Sequence, residues 1–265
     1  MTVVDDIQFF PAGAGAAFVS GGTGGLGSEV VSALAAQGIP VAFGYHSNVS
    51  AAEQLVATVA DAGGTGGTAE AHQVDLTDAT ALKAVFDGLV ARHGALRYLV
   101  HAAGPHIPMK FLSQVDPADY LAQLGADAGT YFSLVHAALP ALRESKGNVV
   151  AITTSAIAHY GIKDGMSSTT KIAIDHLSRG FAVEEGRFGV RFNLVGPGMT
   201  TDGIGAKLIA SGELSEAAIE VARRNTPLQK FADAQDIVAV VLFLASDRAK
   251  SLTGQKLNVD NGWSL

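Results

Sequence analysis

Hydrophobic positions along this chain fall into two alternating rhythms. Short β-branched or mixed apolar runs occur at Ala17–Ser20, Val41–Tyr45, Ala71–Asp75, Tyr98–His101, Asn148–Thr153, Val190–Leu194 and Lys256–Val259, several flanked by Gly or Pro, and they read as strands. Between them lie longer segments rich in Ala and Leu with apolar residues at helical spacing: Leu26–Gln37, Ala51–Asp61, Ala79–His93, Pro117–Arg143, Thr169–Glu185 and Ala234–Ala245. These read as helices. Gly38 and then Pro40 close the first helix, a stop followed by a breaker. Strand and helix in repeated alternation imply right-handed crossovers and a parallel sheet covered by helices on both faces. The expected architecture is therefore α/β, a single doubly wound domain over residues 1–265 with a seven-stranded, mostly parallel sheet. Two stretches break the rhythm. Residues 1–14 read as a loose extension. Met199–Thr226, with Gly203, Gly205 and Gly212, reads as a mobile lid over a site.

Composition narrows the classes. Hydrophobic residues make up 48% of the 265 and charged residues 16%, enough apolar side chain for a large core and little room for disorder. The net charge is −7 with no Lys/Arg stripe, which argues against a nucleic-acid partner. There is no cysteine, so disulfides and thiolate metal sites are excluded, and no metal site is expected. The N-terminal region carries Asp5 and Asp6 rather than a basic-then-apolar signal, and no apolar run is long enough to span a bilayer. The expectation is a cytoplasmic protein with no membrane partner.

The first strand runs into Ser20-Gly21-Gly22-Thr23-Gly24-Gly25-Leu26-Gly27, and a helix follows. Residues this small let the backbone approach a pyrophosphate, and the helix N-terminus offers free N–H groups and the positive end of its dipole. A glycine loop also serves ordinary turns; its place between the first strand and first helix makes it a dinucleotide cradle of the Rossmann kind. An acidic residue at the end of the second strand would hold an adenosine 2′-hydroxyl and select NAD. This chain has Tyr45-His46-Ser47-Asn48 there. His46, Ser47 and Asn48 can hydrogen-bond a 2′-phosphate, so NADPH is expected, with NADH possible; an ordinary polar turn is the bland alternative.

With these residues in view, the chain resembles the short-chain dehydrogenase/reductase family from about Ala16 to Gly262. The loop is similar to the family's Thr-Gly-x-x-x-Gly-x-Gly, with Ser20 in the Thr place. Asp75-Leu76 resembles the pair that contacts adenine, and His101-Ala102-Ala103-Gly104 the Asn-Asn-Ala-Gly turn. Asn193, Pro197 and Gly198 match the strand and turn beside the nicotinamide, with Thr200 or Thr201 on its carboxamide or a phosphate. Leu252-Thr253-Gly254-Gln255 and Asp260-Asn261-Gly262 resemble the family's ending. The resemblance further implies a homo-oligomer, commonly a tetramer, packed through Pro117–Arg143 and Thr169–Glu185 by way of Ala137, Ala138, Ala141, Ala173 and Ala182.

The active site departs from the pattern. The family carries Tyr-x-x-x-Lys, a Ser thirteen residues before that Tyr, and an Asn on the preceding long helix. Lys171 fills the Lys place, Ser167 the Tyr place, Thr154 (with Ser155 adjacent) the Ser place and Asp127 the Asn place. A Tyr hydroxyl next to Lys⁺ works as an acid or base; a Ser hydroxyl does not titrate usefully. Some 2,4-dienoyl-CoA reductases keep the Lys, lack the Tyr and use an Asp on the long helix. This chain resembles that branch in Asp127 with Lys171, in Ala102-Ala103-Gly104, and in Gly186-Arg187-Phe188-Gly189-Val190-Arg191-Phe192-Asn193 leading into Pro197-Gly198. The His101 turn is also similar to bacterial enoyl reductases. Their catalytic Tyr would fall at Asp164, so that match fails.

Lys171 is thus expected on the nicotinamide ribose, Asp127 near the transferred proton, and Thr154 and Ser155 as donors to a carbonyl oxygen. Ser167 is expected only to fill space or anchor water. His106, His159 and Tyr160 are loop residues around the substrate, Trp263 a packing residue, and Asp175–Arg179 an i, i+4 surface pair. The implied activity is NADPH-dependent reduction of a conjugated C=C, its substrate a CoA or carrier-protein thioester of fatty acid metabolism. Two alternatives stay open: a carbonyl or 3-oxoacyl reductase with a rebuilt proton donor, and a cofactor-binding protein whose site is inactive or engineered.

Overall fold

The computed structural model describes residues 9–62, 67–200 and 215–265. Seven strands, β1 (Ala16–Ser20), β2 (Val41–Tyr45), β3 (Ala69–Gln73), β4 (Leu96–His101), β5 (Asn148–Ile152), β6 (Arg191–Pro197) and β7 (Lys256–Val259), form one sheet in the order β3-β2-β1-β4-β5-β6-β7. Every pairing is parallel. The helices are α1 (Gly25–Ala36), α2 (Val49–Asp61), α3 (Ala79–His93), α4 (Pro117–Leu124), α5 (Thr130–Ser145), α6 (Gly165–Glu185), α7 (Glu216–Arg224) and α8 (Ala234–Ala245).

Successive strand residues alternate between two cores, as a period of two requires. Phe18, Leu99, Val149 and Phe192 join α3, α5 and α6 on one face. Val19, Val100, Val150 and Val195 join α1, α2 and α8 on the other. The order of strands reverses between β1 and β4, and the crevice beyond their carboxyl ends is where an open α/β sheet takes its ligand.

The expected elements β7, α3 and α8 stand where the pattern placed them. Four readings are corrected. β3 lies at Ala69–Gln73 rather than Ala71–Asp75, which leaves Asp75 in the following loop. The long helix Pro117–Arg143 is three pieces, α4 and α5 separated by a π-helical turn at Gly125–Gly129, since the two glycines loosen the ladder there. α6 starts at Gly165, four residues before the expected Thr169. The alanines Ala138 and Ala182 are buried in the protein's own core, and Ala137, Ala141 and Ala173 pack against it, so they do not form an outward seam. The exposed large hydrophobic residues of α5 and α6 are Phe132, Ile172 and Val183.

The N-terminal extension is not loose from Phe9 onward. The Phe9 carbonyl accepts the Asp247 N–H at 3.2 Å, and the Phe10 ring meets Tyr98 edge-on at 5.3 Å. Residues 1–8 lie outside the described residues, as does most of the expected lid, 201–214. The lid's described parts are Met199, Thr200, which bridges to Ala232, and α7 with its flanks. Among the described residues no helix is long and apolar enough to cross a membrane.

Candidate active site

The cradle is built by the tight turn between β1 and α1. Gly21 has φ of +70°, and a side chain there would stand 2.7 Å from Ala103 Cα. A Cβ at Gly27 would lie 2.1 Å from the Gly21 carbonyl oxygen. Helix α1 begins at Gly25 with Gly24 as its cap and no side chain satisfying its first N–H groups. A helix start left uncapped at a sheet switch point fits an anionic pyrophosphate, with Thr23, Gly25 and Leu26 around it. Ser20 ties this loop to the β4 turn. Its hydroxyl lies 2.9 Å from His101 Nδ1 and accepts the Ala103 N–H at 3.3 Å.

The adenine end is less committed. His46, Ser47 and Asn48 are exposed after β2. Asn48 caps α2 through its Oδ1, which accepts the Ala51 N–H at 3.1 Å, so only its amide hydrogens remain to give. His46 contributes its carbonyl to Gln73 Nε2 at 3.0 Å. Asp75 closes a turn on Thr77, whose N–H and hydroxyl both donate to Oδ1 at 2.8 Å. These bonds hold the Asp75 carboxyl below its ordinary range. Leu76 is half-buried and packs against the core.

The chemical centre lies across the crevice. The π-helical turn carries Asp127, fully buried. Thr130 takes up two carbonyls of that turn, Ala126 and Asp127, at 2.8 and 2.9 Å. Asp127 Oδ1 accepts Lys171 Nζ at 2.5 Å, and Oδ2 accepts the Thr170 hydroxyl at 2.6 Å. The structure thus brings together Asp127 and Lys171, both named from the sequence. Sequence reading missed Thr170, because no local pattern shows that consecutive residues of α6 share one carboxylate. Both oxygens of Asp127 are thereby engaged away from solvent. The Lys171 ammonium also lies 3.1 Å from where a Cβ on Gly104 would be, so Gly104 keeps its surroundings open.

Three hydroxyls accompany this pair. Thr154 caps a short 3-10 turn at Ser155–Ile157; its Oγ1 accepts the Ala156 N–H at 3.1 Å and keeps its own proton to give. The Thr154 carbonyl is held by Lys256 Nζ at 2.7 Å, another contact sequence reading missed. Ser155 is fully buried and its Oγ has no partner among the described residues. Ser167 is half-buried one turn before Lys171. His101 is also fully buried. Burial, with the nearby Lys171 charge adding to it, pushes its imidazole down to about 3, so it stays neutral.

The remaining expected residues divide. Pro197 ends β6, and the Gly198 N–H donates to the Val259 carbonyl at 3.0 Å; a side chain at 198 would meet Asp260 Cβ at 2.6 Å. Thr200 is placed beside them, and Thr201 lies outside the described residues. Asn193 faces the C-terminal loop rather than the crevice: Nδ2 donates to the Leu252 carbonyl and Oδ1 accepts the Gln255 N–H. His159 and Tyr160 are exposed, and His159 packs edge-on to Trp263 at 4.8 Å. Asp175 is buried and joined by both Arg179 at 2.6 Å and Lys256 at 3.8 Å, so it is more than a surface pair.

A glycine cradle at the switch point of a parallel sheet, faced by a lysine on the later crossover helix, defines a dinucleotide-binding oxidoreductase. Residues 21–264 match the family model described as Enoyl-(Acyl carrier protein) reductase. The chain belongs to the short-chain dehydrogenase/reductase family. It is 28% identical to 7alpha-hydroxysteroid dehydrogenase of Escherichia coli over 93% of this chain and 92% of that protein. A short-chain type dehydrogenase/reductase from Mycobacterium ulcerans superposes with a TM-score of 0.86 at 27% identity, covering 94% of this chain and 89% of that one. A short chain dehydrogenase from Burkholderia cenocepacia, solved in complex with NADP, gives a TM-score of 0.81 at 26% identity over 95% and 98%.

Proposed function

We propose that this oxidoreductase uses NADPH to reduce a conjugated C=C of an acyl thioester. The observation that carries this reading is Asp127 on Lys171 in a site whose tyrosine place holds Ser167. Reducing a ketone puts full negative charge on one oxygen and calls for a strong, well-placed acid. Adding hydride to the far carbon of an enoyl thioester spreads that charge into an enolate, which hydrogen-bond donors stabilise without a tyrosine. Ser20, Gly21, Thr23, Gly25, Leu26 and Gly27 would hold the pyrophosphate, Ala102, Ala103 and Gly104 the nearer ribose, Pro197, Gly198, Thr200 and Thr201 the nicotinamide side, and Asp75 and Leu76 the adenine. Bound there, NADPH supplies the hydride. Lys171 orients the ribose and keeps positive charge beside the reacting atoms; Asp127 holds Lys171 in place. Thr154 and Ser155 give hydrogen bonds to the thioester oxygen.

A second reading has its own support. The Escherichia coli relative's name is that of a hydroxysteroid dehydrogenase, an alcohol–ketone enzyme. In that reading the site reduces a carbonyl, 3-oxoacyl groups included. The exposed Phe132, Ile172 and Val183 support a homo-oligomer built through α5 and α6; sedimentation at micromolar concentration tests it, a monomer alone refuting it. The experiment for the activity is NADPH oxidation against a dienoyl-CoA, an enoyl-CoA and a 3-ketoacyl-CoA. Turnover led by an alkene substrate supports the first reading. Turnover led by the ketone replaces it with the second, and none at all with bound NADPH leaves a binding protein.

A further inference from the structure

We propose that Lys256 is a positioning residue for the reaction: its ammonium grips the Thr154 carbonyl and so aims the Thr154 and Ser155 hydroxyls at the substrate oxygen. The inference rests on the reading above, in which those hydroxyls donate to that oxygen. Lys256 opens β7 beside Leu194 of β6, and Asn258 follows it on the same face of the sheet. Of the described lysines, all but Lys171 and Lys256 are exposed. The Lys256 stem passes over Gly196. A Cβ at Gly196 would stand 2.6 Å from Lys256 Cε and 2.3 Å from Asn258 Oδ1, so the bare backbone there is the room the lysine uses. At the far end, Nζ donates to the Thr154 carbonyl at 2.7 Å and lies 3.8 Å from Asp175 Oδ2. Asp175 is buried, and its Oδ1 takes Arg179 at 2.6 Å.

An ammonium sunk this deep is costly, and packing alone does not call for it, since an apolar side chain fills the same space without desolvating a charge. What the charge does here is hold one carbonyl. A hydrogen bond from an ammonium is roughly twice as strong as one between neutral groups. Thr154 has an extended backbone and is fixed twice: its carbonyl by Lys256, and its Oγ1 by the Ala156 N–H at 3.1 Å. The hydroxyl proton is left free to give. The gripped carbonyl belongs to the peptide that joins Thr154 to Ser155, so the same contact sets the Ser155 side chain, whose buried Oγ has no partner among the described residues. Lys256 sits behind that peptide and acts through it. Its partner Asp175 belongs to α6, the helix that carries Lys171, so one ion pair ties β7, α6 and the hydroxyl loop together.

The test is a double-variant cycle in the full chain: Lys256→Met, Thr154→Val and the two combined, each checked for NADPH binding by fluorescence. Thr154→Val removes a donor and should lower kcat on the best panel substrate by roughly 10²–10³-fold. Lys256→Met keeps most of the stem and only misaims the donor, so it should cost roughly ten- to a hundredfold in kcat, with KM and NADPH affinity unchanged. The double variant should be no worse than Thr154→Val alone. A second measurement asks for the charge itself. A cavity of about 520 Å³ beside Ile157, Ile172, His176 and Asn258 opens onto Lys256 and admits a small amine. Ethylamine should therefore restore part of the kcat of Lys256→Ala, and ethanol should not. Wild-type kcat in Lys256→Met, losses that add in full in the double variant, or rescue by the alcohol as good as by the amine overturns this inference alone. Wild-type kcat in Thr154→Val overturns the role read for the hydroxyls and this inference with it. A wild type that binds NADPH and turns over no substrate overturns the reductase reading and the inference together.

Discussion

Helices α1 and α6 both begin without a capping side chain, for opposite reasons. At α1 the cap is Gly24, which has nothing to offer, and the bare N–H groups open onto the crevice. At α6 the cap is Asp164, which has a carboxylate and does not spend it on the helix. The first region keeps the family pattern nearly residue for residue, because a pyrophosphate needs close backbone and tolerates almost no side chain. The second, in the reading proposed above, keeps the helix and the lysine with its buried partner Asp127 but carries Ser167 in the place the resemblance gives to a tyrosine. Cofactor geometry constrains backbone, whereas proton supply can be met by several side chains, so the two ends are free to diverge at different rates.

The largest effect that separates the regions is expected at Asp127. Asp127→Asn should lower kcat by roughly 10²–10⁴-fold while leaving NADPH affinity intact, measured by steady-state kinetics and fluorescence titration. Asn keeps the shape but strips the charge that holds Lys171 against Thr170 and Gly104. A variant that loses NADPH binding would merge the two regions into one.

Next in size is the fold itself. Lys171→Met leaves the Asp127 carboxylate buried and unpaired, and should cost about 3–5 kcal/mol in urea unfolding. Adding Asp127→Leu should recover much of that loss without restoring activity, which shows that the pair is kept for chemistry. At the other helix, Gly27→Ala drives a methyl into the Gly21 carbonyl. It should cost about 1–3 kcal/mol and abolish nucleotide binding, the reverse of the Asp127→Asn pattern.

His101 joins the regions through Ser20, and pH exposes the link. Its folded pKa of about 3 lies below the unfolded value of 6.5, so the unfolded chain takes up the proton first. Relative to His101→Asn, wild-type stability should hold above 6.5 and fall by up to about 1.4 kcal/mol per pH unit from there toward 3. Asp164 acts with the opposite sign, its raised pKa adding stability at low pH that is lost as pH rises through about 6. It is common to both proteins and cancels in the difference. The smallest effect expected is in cofactor choice: NADPH should bind more tightly than NADH, and Ser47→Asp should shift that preference by roughly tenfold.

The parallel seven-stranded sheet with helices on both faces and the glycine cradle were legible because they rest on apolar strand runs and on glycines whose neighbours admit no Cβ. β3 slipped by two residues because Ala69–Gln73 is polar and only partly buried, which leaves no apolar run to mark it. The π-helical turn was hidden because Gly-Ala-Asp-Ala-Gly continues a helical pattern on both sides. At the site, Asp127 and Lys171 were named together through the family resemblance, and the structure sets them side by side. Asp164 was set aside as a failed match, and no local pattern shows that the helix it precedes starts without its carboxyl as a cap.

Whether the proton supply was rebuilt or lost is decided most directly by restoring the tyrosine. Ser167→Tyr should be assayed with NADPH against the dienoyl-CoA, the enoyl-CoA and the 3-ketoacyl-CoA, beside wild type and Asp127→Asn. A rebuilt site predicts that the new ring adds little or blocks the pocket, while Asp127→Asn remains crippling. A large gain on the 3-ketoacyl substrate, with Asp127→Asn harmless, would contradict the account and mark the chain as a ketoreductase that has lost its acid.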